Sequence, residues 1–484
     1  MGAPPGVTDV SHRACPLIVL SVDGLRPELA LSPDEFGLRV PNLRQLVASG
    51  TCAAKVVSVC PTTTYPAHAT LVTGVPPRVH GVYSHLASRD PTVRARPWNW
   101  FASTFRVPTL WDAARAAGLK TAAVTWPVSA GAAIDYNLPE IWNPAVPDPN
   151  QDFETIARYS APAGLFGQLL EVLQPLLSKG AAEAKANISN VLGANNKQES
   201  AAYTGTTEVV SSLREPSGPG KNTITYVASP DRLRSEAALD LWRQYRPDLL
   251  LVHFVGYDQA AHRFGPFSPQ GLQAIKASDA EIGRILATIA DERATVVVLS
   301  DHGFVPVEKE AAPLVALADE GLFGRGADGV LELKRLGAIH AGGSFAIYWL
   351  ERPTSADQAA LGRAVEQLCR AGGVAEVLDR SQLAALEADP DAELMLDAAP
   401  GYYFSDRVKG PLVRDTQKDR GTHGQLPSRP GLEACFIAVG PGIAAGRILP
   451  SLNLTQVAPT LARCLGLPPG GLSCRVDPID LWNG

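Results

Sequence analysis

The sequence predicts an α/β fold: a doubly wound, mostly parallel sheet sandwiched by helices, with a small α+β cap inserted late in the chain. Three observations predict it. Continuous apolar runs of strand length, such as PLIVLSV at 16–22 and TVVVL at 295–299, fit strands covered on both faces. Helical patterning alternates with those runs, as crossovers between parallel strands require. Acidic and histidine residues cluster where the runs end, at the sheet edge where open α/β folds hold ligands.

Taken in order, the first strand (16–22) ends in Asp23-Gly24, and a helix over 41–48 is closed by Gly50. Three hydroxyls follow, Thr62, Thr63 and Thr64, just before Tyr65-Pro66 and an apolar helical run to Gly74. Pro66 suits a first helical turn, where its missing N–H leaves nothing unpaired, and the turn's free N–H groups and dipole favour an anion. An ordinary threonine cap is the simpler reading of this stretch alone. Next come a helix over 107–117, a strand over 120–125 leading to Trp126-Pro127, a helix over 231–245 and a strand over 248–254. A long helix from 269 to about 291 and the strand 295–299 follow, and a strand (434–439) and a helix (455–465) close the pattern.

Two regions break the rhythm. Residues 178–225, rich in Ala, Ser, Asn, Gly and Thr, read as a loop excursion. Residues 305–420 read as the α+β cap, with strands at 344–350 and near 374–378, a helix over 356–371 and the aromatic segment Gly401-Tyr402-Tyr403-Phe404. The expected division is therefore a catalytic core of 1–304 and 421–484 with the cap between its parts.

At 484 residues the chain can bury a large core, and 45% apolar with 19% charged residues is ordinary globular composition. The net charge of −6 argues against a nucleic-acid polymer as partner, while leaving room for a small anionic substrate held through metal. No apolar run approaches the roughly 18 residues of a membrane span, so no membrane partner is expected. Residues 1–11 lack a basic region followed by an apolar core, and the seven cysteines are scattered without a CxxC pair. Both point to reduced thiols and a cytoplasmic setting, or to a secreted or periplasmic one if a signal has been removed; Cys52 with Cys60 and Cys464 with Cys474 are the alternative pairings. The sequons at Asn187 and Asn453 carry no weight without secretion.

The chemistry lies in four clusters: Asp23; Asp258 with His262; Asp301-His302; and His423. The first three follow strands and converge by topology, and the cap brings the fourth to them. Carboxylate oxygen and imidazole nitrogen suit zinc, with manganese or iron as alternatives, and seven ligands counting a threonine oxygen suit two ions. Asp258 and His262, four apart, share one face of a helix; Asp301 and His302, adjacent in an extended segment, point to opposite sides and touch two ions. Singly, each has a bland reading as a turn, a surface residue or a loop start. Together they point to a metal centre.

The motifs SVDG, PTTTYPAHATLVTG with PPRVHGV, YDQAAHRFGP, LSDHGF and RGTHG stand in the order of the alkaline phosphatase superfamily, and most resemble its type I phosphodiesterase/nucleotide pyrophosphatase branch. The resemblance spans nearly the whole chain. It implies an alkaline-phosphatase-like fold and a two-zinc hydrolase of phosphodiester or phosphoanhydride bonds, acting on nucleotide-like or small phosphate esters. In this reading Asp258, His262 and His423 hold one zinc and Asp23, Asp301 and His302 the other. Thr64 stands beside the second as ligand and nucleophile, forming a phosphothreonine intermediate that water hydrolyses. A sulfatase places a modifiable Cys or Ser before x-Pro-x-Arg, and Thr64-Tyr-Pro-Ala departs from that.

The match also departs on the substrate side. His85 stands where the branch carries a phosphate-binding asparagine, and Asn99 is the alternative donor. Tyr65 follows the nucleophile where an aromatic ring often meets a base, or it packs on its own helix. Trp98, Trp100 and Trp126 line a leaving-group pocket or belong to the core. His68, His80, His253 and His340 read as structural or supporting residues, and Arg420 as a surface residue or a phosphate donor. A phosphomonoesterase or phosphonoacetate-hydrolase-like enzyme uses the same metals with a different pocket, and a catalytically silent metal-binding protein is the reading outside enzymology.

Overall fold

The structure, a computed structural model, describes residues 15–93, 96–142, 149–176, 230–325, 331–468 and 470–482. The expected excursion at 178–225 lies outside the described residues. The main sheet has eight strands: β1 (Leu17–Val22), β2 (Thr51–Ala53), β3 (Thr121–Val124), β4 (Tyr136–Leu138), β5 (Leu249–Phe254), β6 (Thr295–Leu299), β7 (Phe436–Val439) and β8 (Arg447–Leu449). Their spatial order is β8-β2-β7-β6-β1-β5-β3-β4. Every pairing is parallel except those of β7, which runs antiparallel to both β2 and β6.

The central strands are buried along their whole length, which is why they read as unbroken apolar runs. Alternate side chains still serve different faces. Ile18, Leu20 and Val22 of β1 pack with helices Pro41–Ser49, Pro230–Tyr245 and Pro269–Thr288. Leu17 and Val19 pack on the other face with helices Thr64–Thr73, Leu110–Ala116 and Val457–Cys464. Two helical layers thus cover the sheet, as the doubly wound pattern predicts.

Strands β2, β4 and β8 go beyond the sequence expectation; each has three residues, too short for a periodic signal. The direction of β7 matters more. Because it is reversed, its entry end lies at the edge where β1, β5 and β6 exit, so the loop before it arrives at the same place. Strand reversal thus shares with the cap the delivery of the fourth cluster.

In the 305–420 region, strand Val305–Ala311 pairs with Gly401–Phe404, Val413–Asp415 and Gly421–Thr422. A separate antiparallel sheet is ordered Leu336–Ala341, Ser344–Trp349, Leu394–Ala398, Val374–Asp379. Helix Ser355–Arg370 begins at a capping box between Thr354 and Asp357, and its Leu361, Ala364 and Leu368 join Phe345, Leu396 and Phe404 in an apolar cluster distinct from those of the main sheet. Another cluster, with Ile339, Tyr348 and Met395 against Cys60 and Leu86, ties this region to the segment before Thr62. All seven cysteines are unpaired, and no described helix is long and apolar enough to cross a membrane.

Candidate metal centre and nucleophile

Asp23 directly follows β1, its N–H donating to the Phe254 carbonyl. Gly24 makes the turn that aims it, with φ of +72° and space so tight that a Cβ would lie 2.9 Å from the Phe304 ring. Asp258 and His262 sit one turn apart on helix Gly256–Phe264, with His262 Nε2 3.5 Å from Asp258 Oδ1. His423 arrives from the opposite side, its Nε2 3.6 Å from the same oxygen. Gly424 holds that loop in place: its φ is +103°, a Cβ would stand 2.0 Å from the Ala341 carbonyl oxygen, and its N–H donates to Thr62 Oγ1.

Asp301 and His302 differ from expectation. Instead of pointing apart, both turn into the centre, with His302 Nε2 3.0 Å from Asp301 Oδ2 and 3.5 Å from Asp23 Oδ1. The segment is bent, not extended: Ser300 Oγ lies within hydrogen-bonding reach of both the Leu25 and His302 carbonyls. Donor atoms gather within 4.8 Å of one another in two groups, Asp23/Asp301/His302 and Asp258/His302/His423. His302 thus stands between the groups, and His262 joins through Asp258.

The donor chemistry fits a cation. Nδ1 of His262, His302 and His423 faces the carbonyls of Gly421, Gly303 and Thr62, at 3.2, 2.9 and 3.0 Å. A carbonyl only accepts, so Nδ1 carries a proton in each case and Nε2 is the nitrogen turned inward, where a cation would take the place of a second proton. Asp23 Oδ1, Asp258 Oδ1 and Asp301 Oδ2 are buried without a hydrogen-bond partner. Burial, reinforced by the charges of Asp301 and Asp258, pushes the Asp23 carboxyl up to about 8. Burial works against charging His302, yet Asp301 and Asp23 raise it to about 9. Burial thus penalises charge on Asp23 and Asp258, whereas at Asp301 burial is outweighed by His302 and His68, which hold it ionised, and carboxylate oxygens left without partners call for positive charge at the centre.

The three threonines separate. Thr62 Oγ1 donates to the Gln425 carbonyl at 2.8 Å and accepts from Gly424 N–H at 3.0 Å. Thr63 is the N-cap residue of helix Thr64–Thr73 but makes no side-chain cap bond, and its buried Oγ1 has no partner. The ordinary cap reading therefore fails, because Thr63 Oγ1 makes no bond to the helix N–H groups. Thr64 is partly exposed, with Oγ1 3.5 Å from Asp23 Oδ2 and 3.4 Å from His302 Nε2. Its hydroxyl is thus the one of the three that meets the Asp/His cluster.

Two buried histidines support this corner. His68 Nδ1 faces the Thr64 carbonyl and its Nε2 faces Ser21 Oγ, both at 2.9 Å; burial, then the neighbouring His253, lowers its pKa to about 3, so it stays neutral. His253, on β5, lies between Asp23 Oδ2 and Glu140 Oε2, 3.1 Å from each. Burial lowers its pKa, but the hydrogen bonds to those carboxylates win and hold it at about 10. Glu140 in turn accepts from the Tyr65 hydroxyl at 3.0 Å. The sequence reading passed over Glu140, which carries no motif; its only signal is proximity to the end of a short strand.

On the substrate side, Tyr65 is wholly buried, its ring edge-on to Trp98. Stacking a base on it requires that packing to open. His85 is half-buried against Trp98, and burial, then His340 and Arg96, lowers its pKa to about 3. Asn99 directs its amide to the Ser84 and Leu86 carbonyls at 2.7 and 3.2 Å, bracing the loop that carries His85. Trp100 and Trp126 are buried, while Trp98 packs against Trp142 as well as Tyr65 and His85. Arg420 is exposed.

Solved structures share this architecture. Murine ectonucleotide pyrophosphatase/phosphodiesterase 5 superposes with a TM-score of 0.59 at 17% identity, over 94% of this chain and 96% of that one. The human protein gives 0.60 at 15% identity, over 97% and 100%. Among curated relatives, human ectonucleotide pyrophosphatase/phosphodiesterase family member 7 is 33% identical over 72 residues, 14% of this chain and 16% of that protein. A venom phosphodiesterase of Macrovipera lebetinus is 22% identical over 302 residues, 60% of this chain and 25% of that protein. The matches thus span a quarter or less of these relatives' own length. The family model described as "Type I phosphodiesterase / nucleotide pyrophosphatase" matches residues 17–426. With that match running from β1 through the His423 loop, the chain belongs to the type I phosphodiesterase/nucleotide pyrophosphatase family.

Proposed function

We propose that the chain is a two-zinc hydrolase of phosphodiester or phosphoanhydride bonds in nucleotide-like or small phosphate esters, with Thr64 as nucleophile. The observation that carries this reading is the Thr64 hydroxyl, partly exposed at a helix N-terminus and within 3.5 Å of both Asp23 and His302. Asp258, His262 and His423 would hold one ion, and Asp23, Asp301 and His302 the other, with manganese or iron as alternatives to zinc. When bound, two such ions acidify the nucleophile and neutralise charge on the attacking and leaving oxygens.

The rest of the chemistry belongs to the chain. Thr64 Oγ1 attacks phosphorus while its proton passes to solvent; the bond to the leaving oxygen breaks with its electron pair going to that oxygen, which is protonated from solvent. Water then hydrolyses the phosphothreonine ester, restoring the Thr64 hydroxyl and releasing the phosphoryl product. The first-turn N–H groups of helix Thr64–Thr73 have no intrahelical acceptor, and the helix dipole there favours the charge that builds on the phosphoryl oxygens. His68 holds the Thr64 carbonyl to β1 through Ser21, so the nucleophile sits on fixed structure. The AMP complex of an inactive threonine-to-alanine form of the murine relative supports a nucleotide-like substrate here.

A second reading rests on Tyr65 and His85. With Tyr65 buried and a histidine where the branch carries asparagine, a phosphomonoester or phosphonate such as phosphonoacetate becomes the alternative substrate. The test is kcat/KM on bis-p-nitrophenyl phosphate, p-nitrophenyl phosphate, a nucleotide pyrophosphate and phosphonoacetate. A diester or pyrophosphate preference supports the proposal; a strong monoester or phosphonate preference replaces it with the second reading.

A further inference from the structure

Hydrogen bonds link Asp23, His253, Glu140 and Tyr65 into a chain that ends on the residue beside the nucleophile. Asp23 Oδ2 meets His253 Nε2 at 3.1 Å, His253 Nδ1 meets Glu140 Oε2 at 3.1 Å, and Tyr65 OH donates to Glu140 Oε1 at 3.0 Å. Tyr65 is bonded through the chain to Thr64, whose Oγ1 returns to Asp23 Oδ2 at 3.5 Å. The members come from separate elements: the exit of β1, the body of β5, the segment after β4 and the first turn of helix Thr64–Thr73. Asp23, His253 and Tyr65 are 3%, 1% and 0% exposed, so the bond between Asp23 and His253 is shielded from water, while Glu140 and Thr64 are partly exposed.

We propose that His253 and Glu140 are positioning residues that fix the geometry between the Asp23 carboxylate and the Thr64 hydroxyl. The inference rests on the functional reading of Thr64 given above. Its logic is the division of oxygens. His253 engages Asp23 Oδ2, which leaves Oδ1 unbonded and turned toward His302 at 3.5 Å. Glu140 divides its oxygens in the same way, one for His253 and one for Tyr65. The bridge therefore sets the rotation of Asp23 and, through Tyr65, the angular position of the first helical turn. A buried tyrosine needs only one acceptor and a buried histidine only one or two; joining those needs into a chain that ends beside the nucleophile is what a merely space-filling role does not explain.

The test uses the full chain carrying Tyr65→Phe, Glu140→Gln and His253→Gln. Tyr65→Phe keeps the ring packed on Trp98 and removes only the bond to Glu140, so it is the variant most certain to fold. For Tyr65→Phe we expect kcat to fall about tenfold, with KM and zinc content within twofold of wild type. Zinc affinity, measured by competition with a chelator, falls roughly 10- to 100-fold in His253→Gln, and Glu140→Gln weakens it less. Lower melting temperatures with wild-type kcat and zinc affinity in all three overturn the inference while leaving the functional reading intact. Wild-type protein that neither binds zinc nor hydrolyses phosphate esters removes both.

Discussion

Replacing each of three consecutive hydroxyls separates catalysis from stability. Thr62→Ala deletes two bonds of ordinary length, leaving the Gly424 N–H without its partner and the Gln425 carbonyl with only the Thr62 N–H at 3.4 Å. At about 1 kcal/mol for each bond plus the lost buried methyl, the cost is about 2–3 kcal/mol. Thr63→Val exchanges a buried hydroxyl with no partner for a methyl, and is expected to be neutral or to stabilise by up to about 1 kcal/mol. Thr64→Ala removes contacts of 3.4 and 3.5 Å, beyond the usual hydrogen-bond range, from a partly exposed side chain, so it costs under about 1 kcal/mol. Activity runs the other way: Thr64→Ala lowers kcat about 1000-fold or more, while Thr62→Ala stays within about tenfold per folded molecule. Urea unfolding and bis-p-nitrophenyl phosphate hydrolysis on the same preparations give both axes. Thr64→Ala that hydrolyses at the wild-type rate, or that alone unfolds easily, refutes the assignment of the hydroxyls.

Other consequences are as direct. Gly24→Ala places a Cβ in the left-handed region and 2.9 Å from Phe304, whose ring packs on His262 and His423; it is expected to cost about 1–3 kcal/mol and to weaken zinc binding, read by unfolding and chelator competition. Burial lowers the His80 pKa to about 3, with Nδ1 accepting from Val82 N–H and Nε2 facing Thr70. The unfolded chain therefore binds this proton first, and the His80 contribution to stability falls as pH drops below about 6.5, by about 2 kcal/mol at pH 5; His80→Gln removes that share of the slope in urea titrations. Zinc at about 100 times its dissociation constant is expected to add about 3 kcal/mol to the stability of chelated protein, seen as a raised melting temperature that Asp258→Ala abolishes.

Much of this was legible because the chemistry sits at the ends of the most regular elements. Unbroken apolar runs located β1, β5 and β6, and the residues just past them, Asp23, Asp258 and Asp301-His302, converge by the geometry of parallel strands. His423 was legible as a ligand type but not by topology, since nothing in residues 434–439 reveals that their strand is reversed. The orientation of Asp301 and His302 was misread because alternation holds only for extended backbone, and Ser300 bends the chain there. Glu140 stayed invisible for a related reason: a lone acid after a three-residue strand has no period to mark it. Tyr65 had two readings from sequence, and its ring packs on Trp98 with its hydroxyl on Glu140.

The central claim, that the Asp/His cluster is a two-metal centre serving Thr64, meets its most direct test in the metal itself. Protein purified without added metal is analysed for its metal content, then chelated and reconstituted while hydrolysis is followed. We predict two equivalents of zinc, or of manganese or iron, with activity lost on chelation and restored by the same metal. One equivalent of magnesium without a transition metal, or full activity after chelation, contradicts the account.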